Sequence, residues 1–229
     1  MAVTGRPVRI YWGAHPRVVC LFCRRLPGDC RIGACTPQAS PVGGRRGYGI
    51  RVGRTTIRDS DPRDADAIAA IRVAGWRTAY AGIIEDAVLQ RLDPVAEAAR
   101  RRAEWAAHPT PRVAEHGGEV VGFAISCPYR QDDADPGDGE IAALYVAPGH
   151  WSLGIGSALL VDALTQLGER GHTVARLWVL QANARARRSY ERNGFTADGA
   201  IACYTPRGGS RAVPEIRYRR PTRAAPGLA

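Results

Sequence analysis

The residues with the clearest chemistry lie between Val146 and Leu160. Leu144-Tyr145-Val146 reads as the end of an apolar strand, Ala147 to Leu153 as a glycine-bearing loop, and Gly154-Ile155-Gly156-Ser157 as the opening of a helix. The start of a helix carries several backbone N–H groups without intrahelical acceptors and the positive end of the helix dipole. It therefore binds anions, above all phosphate and pyrophosphate. Two familiar phosphate loops do not fit. A Walker A loop needs a lysine after its second glycine, and this chain contains no lysine. A dinucleotide fingerprint needs a third glycine where Leu159 stands, and this loop falls in mid-chain, after several short strands. The elements around the loop have to decide what it holds.

Composition narrows the choices. The chain has 229 residues, 45% of them hydrophobic, enough for one packed domain with an appendage. No apolar run approaches the roughly 18 residues that span a bilayer. The longest apolar stretch near the start, Val18 to Cys23, is shorter than a secretory core of about 7–15 residues, so a cytoplasmic location is expected. The net charge of +10 suggests nucleic acid until it is divided along the chain. Ten arginines and one acid fall in residues 1–54, leaving 22 arginines against 21 acids in the remainder. The main domain is nearly neutral and presents no phosphate-tracking surface.

Residues 1–53 lack helical or strand periodicity and are expected to form a disordered extension. Cys20, Cys23, Cys30 and Cys35 lie in it. Four thiolates can close a zinc site, but the middle spacing matches no common pattern, so incidental reduced cysteines are the competing reading. A start further downstream, near Val42 or Val52, is a third. Cys127 and Cys203 sit in apolar surroundings and read as small core residues.

From residue 54 the chain becomes regular, and residues 54–221 are expected to form the domain, with 222–229 as a tail. The patterns predict a strand over 55–58 and helices over 63–80, 86–92 and 94–107. Strands follow over 112–116 and 119–128, joined at Gly117-Gly118, and over 140–146. A helix over 154–170, a strand over 174–180 and a helix over 184–192 come next, then a strand pair over 201–204 and 215–219. Antiparallel strands followed by a strand–helix–strand crossover predict an α/β fold: a mixed, mostly antiparallel central sheet with helices on both faces.

In this setting residues 151–156 resemble the [Q/R]-x-x-G-x-[G/A] loop of the GNAT superfamily of N-acetyltransferases. Glu140 to Pro148 looks like that family's bulged strand. Asn183 to Phe195 looks like its N-x-x-A-x-x-x-Y-x-x-x-G-F segment, with the alanine at 186. The similarity spans residues 54–221. One departure is Trp151, which stands where the family carries Gln or Arg and supplies no side-chain charge there.

The resemblance implies acetyl-CoA as co-substrate and direct acetyl transfer to an amine. Backbone N–H groups of Ser152, Leu153, Gly154, Ile155, Gly156 and Ser157 would hold the pyrophosphate. The amide-rich pantetheine arm would pair like a strand with Leu144, Tyr145 and Val146, and the Val146 N–H would face the developing oxyanion. Tyr190 is the expected acid for the leaving thiolate, with a packing aromatic as its plainer reading. Glu140 is the expected base, or a solvated strand end. Asn183 caps its helix and touches the cofactor. The acidic loop Asp132 to Asp138 could draw in a cationic acceptor, though such a loop is commonly just solvated. Trp76, Tyr80 and Trp105 read as core, with one of them a candidate for the acceptor pocket. A primary amine on a small molecule is the expected acceptor, suggested by the helix-rich stretch from Trp76 to Ala107. A protein N-terminal or lysine acetyltransferase and a non-catalytic acyl-CoA sensor are the alternatives. No metal, membrane or nucleic-acid partner is expected, and a homodimer is compatible with all of this.

Overall fold

The computed structural model describes residues 51–52 and 54–222. The four-cysteine extension up to residue 50 and the tail from 223 lie outside the described residues. Eight strands form one sheet: β1 (Arg51–Val52), β2 (Thr55–Asp59), β3 (Arg112–His116), β4 (Glu119–Pro128), β5 (Asp138–Val146), β6 (Val174–Leu180), β7 (Thr196–Tyr204) and β8 (Val213–Pro221). Their order across the sheet is β1-β2-β3-β4-β5-β6-β8-β7. All neighbours are antiparallel except β5 and β6, which are parallel. That one parallel pair needs a crossover, and helix α4 (Ile155–Glu169) supplies it. The expected mixed, mostly antiparallel sheet is the one that forms.

Helices cover both faces. On one, α4 buries Ile155, Leu159 and Leu160, which meet Ile57, Ala114 and Ala124 beneath one half and Leu177, Val179 and Tyr218 beneath the other. Helix α5 (Ala184–Arg192) leans on the same face through Ala186 and Tyr190. On the opposite face, α1 (Ala65–Ala79) presents Ile68 and Ile71 to Val113, Phe123 and Ile125. Helices α2 (Asp86–Gln90) and α3 (Pro94–Ala103) flank it. The Asp93 side chain accepts the Val95 N–H and so caps α3, which opens on Pro94 at its first turn.

Three expectations need correction. Helix α3 stops at Ala103, and Trp105–Ala107 is a separate 3-10 turn. The last two strands are nine residues each. Their early part was hidden because β7 is an edge strand with no fully buried residue and an irregular pairing between Ala197 and Ile201. Cys203 is exposed on that edge, whereas Cys127 is buried as expected.

A buried ion cluster fixes α4 to the sheet. Arg112 of β3 donates through Nε and Nη2 to both carboxylate oxygens of Asp162 of α4, each at 2.9 Å, and through Nη1 to Asp59 of β2 at 2.8 Å. Arg112 and Asp162 are both nearly inaccessible. Neutralising one member leaves the other charge buried and under-satisfied, which costs about 3–5 kcal/mol. Asp162→Asn is therefore expected to lower unfolding stability by about 3 kcal/mol. Urea titrations of the variant and the parent check this, and a change below about 1 kcal/mol would remove the pair from the support of α4.

Candidate active site

Strands β5 and β6 pair only over Asp138–Glu140 and then diverge. Two local facts force them apart. The register of β4 against β5 shifts between Ile125 and Ser126, leaving Ala142 as an extra residue that bends β5. Meanwhile β6 keeps pairing with β8 as far as Leu180, so it cannot follow. The resulting wedge opens into a cavity of about 650 Å³. Strand β5 lines it with Leu144, Tyr145 and Val146, and β6 with Trp178, Val179 and Leu180.

The backbone of β5 in this wedge is unpaired on one side. The Ala147 N–H donates to the Val121 carbonyl at 2.8 Å. Antiparallel alternation then turns the N–H and C=O of Val146 and Leu144 away from β4, toward the cavity. The Val146 carbonyl accepts the Trp151 indole N–H at 2.7 Å. Its N–H, and both polar groups of Leu144, are directed into the gap.

The loop closes one end of the wedge. Gly154 caps α4 with φ of 78°, a left-handed conformation that glycine adopts without strain. The first helical hydrogen bond of α4 runs from the Ala158 N–H to the Gly154 carbonyl. The N–H groups of Ile155, Gly156 and Ser157 therefore have no acceptor within the helix. Ser152, Gly154, Gly156 and Ser157 line the cavity. Leu153 is an exposed side chain and Ile155 a core one, so those two positions offer only their backbone.

Helix α5 forms the outer wall. Asn183 lines the cavity and accepts the Ala186 N–H at 3.1 Å, capping the helix. Tyr190 lines it too and packs edge-on to Phe195 at 6.0 Å. Burial pushes its phenol well above the ordinary value of 10, with the nearby Tyr145 adding to the shift. Arg185, Arg188 and Arg192 also line the cavity. The sequence reading missed all three, and Trp178. The helical spacing of the arginines was the available signal, and it reads equally well as a solvated face.

Two expected residues are not brought to the cavity. Glu140 lies on the stretch of β5 still paired with β6, and its buried carboxylate is held by Arg130 at 3.0 Å. The acidic loop is not among the lining residues and is tied down at two of its aspartates, while Asp132 and Asp135 stay exposed. Asp133 pairs with Arg217 at 2.5 Å and Asp138 with Arg176 at 2.8 Å, while Asp198 joins both arginines. Of the aromatic candidates Tyr80 lines the cavity, whereas Trp76 is buried and donates its indole N–H to the Tyr145 hydroxyl at 2.9 Å.

A wedge of backbone acceptors and donors that ends on a helix N-terminus suits an extended, amide-bearing ligand with an anionic end. Comparison with known proteins agrees. The model of the acetyltransferase (GNAT) family matches residues 80–195. A Mycobacterium tuberculosis protein named as an N-acetyltransferase is 32% identical over 180 residues, covering 75% of this chain and 96% of that one. A mycothiol acetyltransferase of Frankia casuarinae is 32% identical over 171 residues, which is 72% of this chain but only 45% of that protein. Among solved structures, YncA of Salmonella typhimurium, determined with its cofactor acetyl-CoA, superposes with a TM-score of 0.56 at 25% identity, covering 76% of this chain and 99% of that one. The chain belongs to the GNAT acetyltransferase family and is an acetyl-CoA-dependent N-acetyltransferase. Among the described residues no helix is long and apolar enough to cross a membrane, and no group of His, Cys, Asp and Glu is placed to hold a metal.

The shape of the wedge depends on Gly122, opposite Val146 on β4. A Cβ there would stand 2.9 Å from the Tyr145 carbonyl oxygen and 3.1 Å from a Leu159 methyl. Gly122→Ala is expected to cost about 1–3 kcal/mol of overpacking and to displace the tip of β5. Thermal melting and steady-state acetyl transfer, measured together, check this. A variant with parental melting and turnover would show that the tip tolerates the displacement.

Proposed function

We propose that the protein transfers the acetyl group of acetyl-CoA directly to a primary amine on a small molecule. The observation that carries the choice of acceptor is a latch across the far side of the cleft. Glu85, just before α2, accepts the Ser210 N–H at 2.9 Å and the Ser210 hydroxyl at 2.8 Å, and the Arg211 N–H at 3.3 Å. Arg211 donates to the Ile83 carbonyl at 2.6 Å, and Arg91 to the Gly208 carbonyl at 2.5 Å. The β7–β8 turn is thereby fastened to the α1–α2 segment. Below it Ile84, Val88 and Leu89 pack on Leu180 and Val213. We read this closure, which begins just after the cavity-lining Tyr80, as leaving no groove for a polypeptide acceptor. Tyr80, Tyr145 and Trp178 line the cavity on the side read as taking the acceptor. The Ser210 hydroxyl first, then the Arg211 and Ser210 N–H groups, hold the Glu85 carboxyl below its ordinary 4.5, so the latch is intact at neutral pH and is lost as acid protonates Glu85.

In the reaction so read, the pyrophosphate of the co-substrate rests on the N–H groups at the start of α4 and its pantetheine arm on Leu144 and Val146. The amine nitrogen attacks the thioester carbonyl, and the Val146 N–H faces the oxygen that gains charge. The C–N bond forms, the C–S bond breaks, and the Tyr190 hydroxyl protonates the departing sulfur. A phenol with a raised pKa is fully protonated at neutral pH, as an acid must be. With Glu140 engaged by Arg130, the amine sheds its proton to water in the cleft.

Tyr190→Phe is expected to retain affinity for CoA while kcat falls by about 100-fold, the lower range for a positioned acid. Unchanged turnover would remove Tyr190 from the mechanism. Because its folded pKa is raised, the active protonated form persists above pH 10. The parental rate should rise with pH toward the acceptor amine's own pKa, near 10, without an earlier alkaline limb; an alkaline limb between pH 7 and 9 would contradict this. A thiol-release assay over small amines and peptides tests the acceptor. Small primary amines should release CoA and peptides should not. A peptide-only response would overturn the small-molecule reading.

A further inference from the structure

The family position that normally offers Gln or Arg to the loop carries Trp151, yet a guanidinium stands at that spot. Arg185, two residues past the Asn183 cap of α5, lies over the Trp151 ring with its central carbon 4.2 Å from the ring centroid. Its Nη2 reaches the Ser152 hydroxyl at 3.4 Å. The opposite function of Trp151 is equally defined: its indole N–H donates to the Val146 carbonyl. One side chain therefore touches both the tip of β5 and Arg185 of α5.

We propose that Trp151 is a positioning residue that seats Arg185 as the cation for the pyrophosphate of acetyl-CoA and, through the Val146 carbonyl, fixes the direction of the Val146 N–H. The proposal rests on the acetyl-CoA reading of the wedge and adds two named residues to it. Two observations support it beyond contact. First, Arg185, Ser152, Trp151, Gly154 and Gly156 all line one cavity, and the Arg185 guanidinium reaches the Ser152 hydroxyl in the loop that leads into α4. Among the described residues no carboxylate forms an ion pair with it, so toward them its charge is available to an anion. Second, in an extended residue the N–H and C=O point to the same side of the strand. A carbonyl anchored on the cavity side therefore keeps its residue's N–H on that side. A guanidinium loses less freedom on binding phosphate when an aromatic face already holds its plane.

The test measures binding and turnover on the full chain. Calorimetric Kd values are taken for CoA, 3′-dephospho-CoA and pantetheine. Arg185→Ala should weaken CoA and dephospho-CoA by about tenfold and leave pantetheine unchanged. Trp151→Leu should weaken the two pyrophosphate ligands to the same degree, and the double variant should be no weaker than either single one. Trp151→Phe keeps an aromatic seat but loses the indole N–H; its Kd for CoA should stay within about twofold of the parent while kcat falls. Trp151→Arg should restore CoA binding to the Arg185→Ala variant. Additive losses in the double variant would overturn the coupling, and loss confined to CoA would assign Arg185 to the 3′-phosphate instead. An unaltered kcat in Trp151→Phe would overturn the Val146 part. If the parent chain binds none of the three ligands, the acetyl-CoA reading itself fails, an outcome distinct from all of these.

Discussion

The divergence of β5 from β6 is the constraint on which the rest depends. A parallel pair that separates after three residues leaves both polar groups of Leu144 and the N–H of Val146 facing a cavity without a strand to pair with. Natural sheets avoid such edges. This one retains it because the extra residue at Ala142 and the grip of β8 on β6 make closure geometrically unavailable. A ligand with amides spaced along an extended arm satisfies what the fold cannot. In this sense the binding site is a missing length of sheet, and its specificity begins with backbone rather than side chains.

Keeping such a wedge open requires both walls to be held from behind. The β6 wall is held on one face by the core under α4 and α5, and on the other by an ionic lattice. Arg176 and Arg217 bind Asp138, Asp198 and Asp133, and Tyr129 lies within cation–π distance of both arginines. The β5 wall is held by α1, which comes so near that a Cβ on Gly75 would lie 3.3 Å from the Tyr145 ring. The acidic loop thus belongs to the support of the sheet. Asp133 and Asp138 spread their charge onto buried arginines.

The fold was largely legible in the sequence because its signals are local. Gly117-Gly118 takes positive φ at both positions, as a two-residue hairpin turn requires. Gly154, with its positive φ, and the Asn183 side-chain cap announced their elements through demands that few residues meet. The edge strand β7 was only half visible, because a strand with little buried surface carries little apolar alternation. The backbone of the loop and β5 that lines the cavity was legible for the same local reason. The pairing of Glu140 with Arg130 was not, since Arg130 lies across a strand end and a loop that no sequence spacing relates to it. Trp178 was hidden inside a run, Val174 to Leu180, that reads as uniformly core; only the loss of β5 as a neighbour turns it toward ligand.

The Trp151 position shows why a motif read alone misjudges charge. Along the sequence, tryptophan replaces a hydrogen-bonding side chain and the loop looks weakened. In space, 34 residues later, α5 returns an arginine to the same face. The arrangement suits a guanidinium and not an ammonium. A flat, weakly hydrated cation can lie on an indole and still direct N–H groups sideways at phosphate, whereas a compact ammonium would have to shed water to do so. The chain has arginine at all 32 of its basic positions. That bias, which by itself reads as a property of composition, makes every exposed cation near an aromatic ring a candidate for such stacking. Trp151 presents its ring to Arg185 of α5, and so composition and geometry meet at this residue to give the loop its charge.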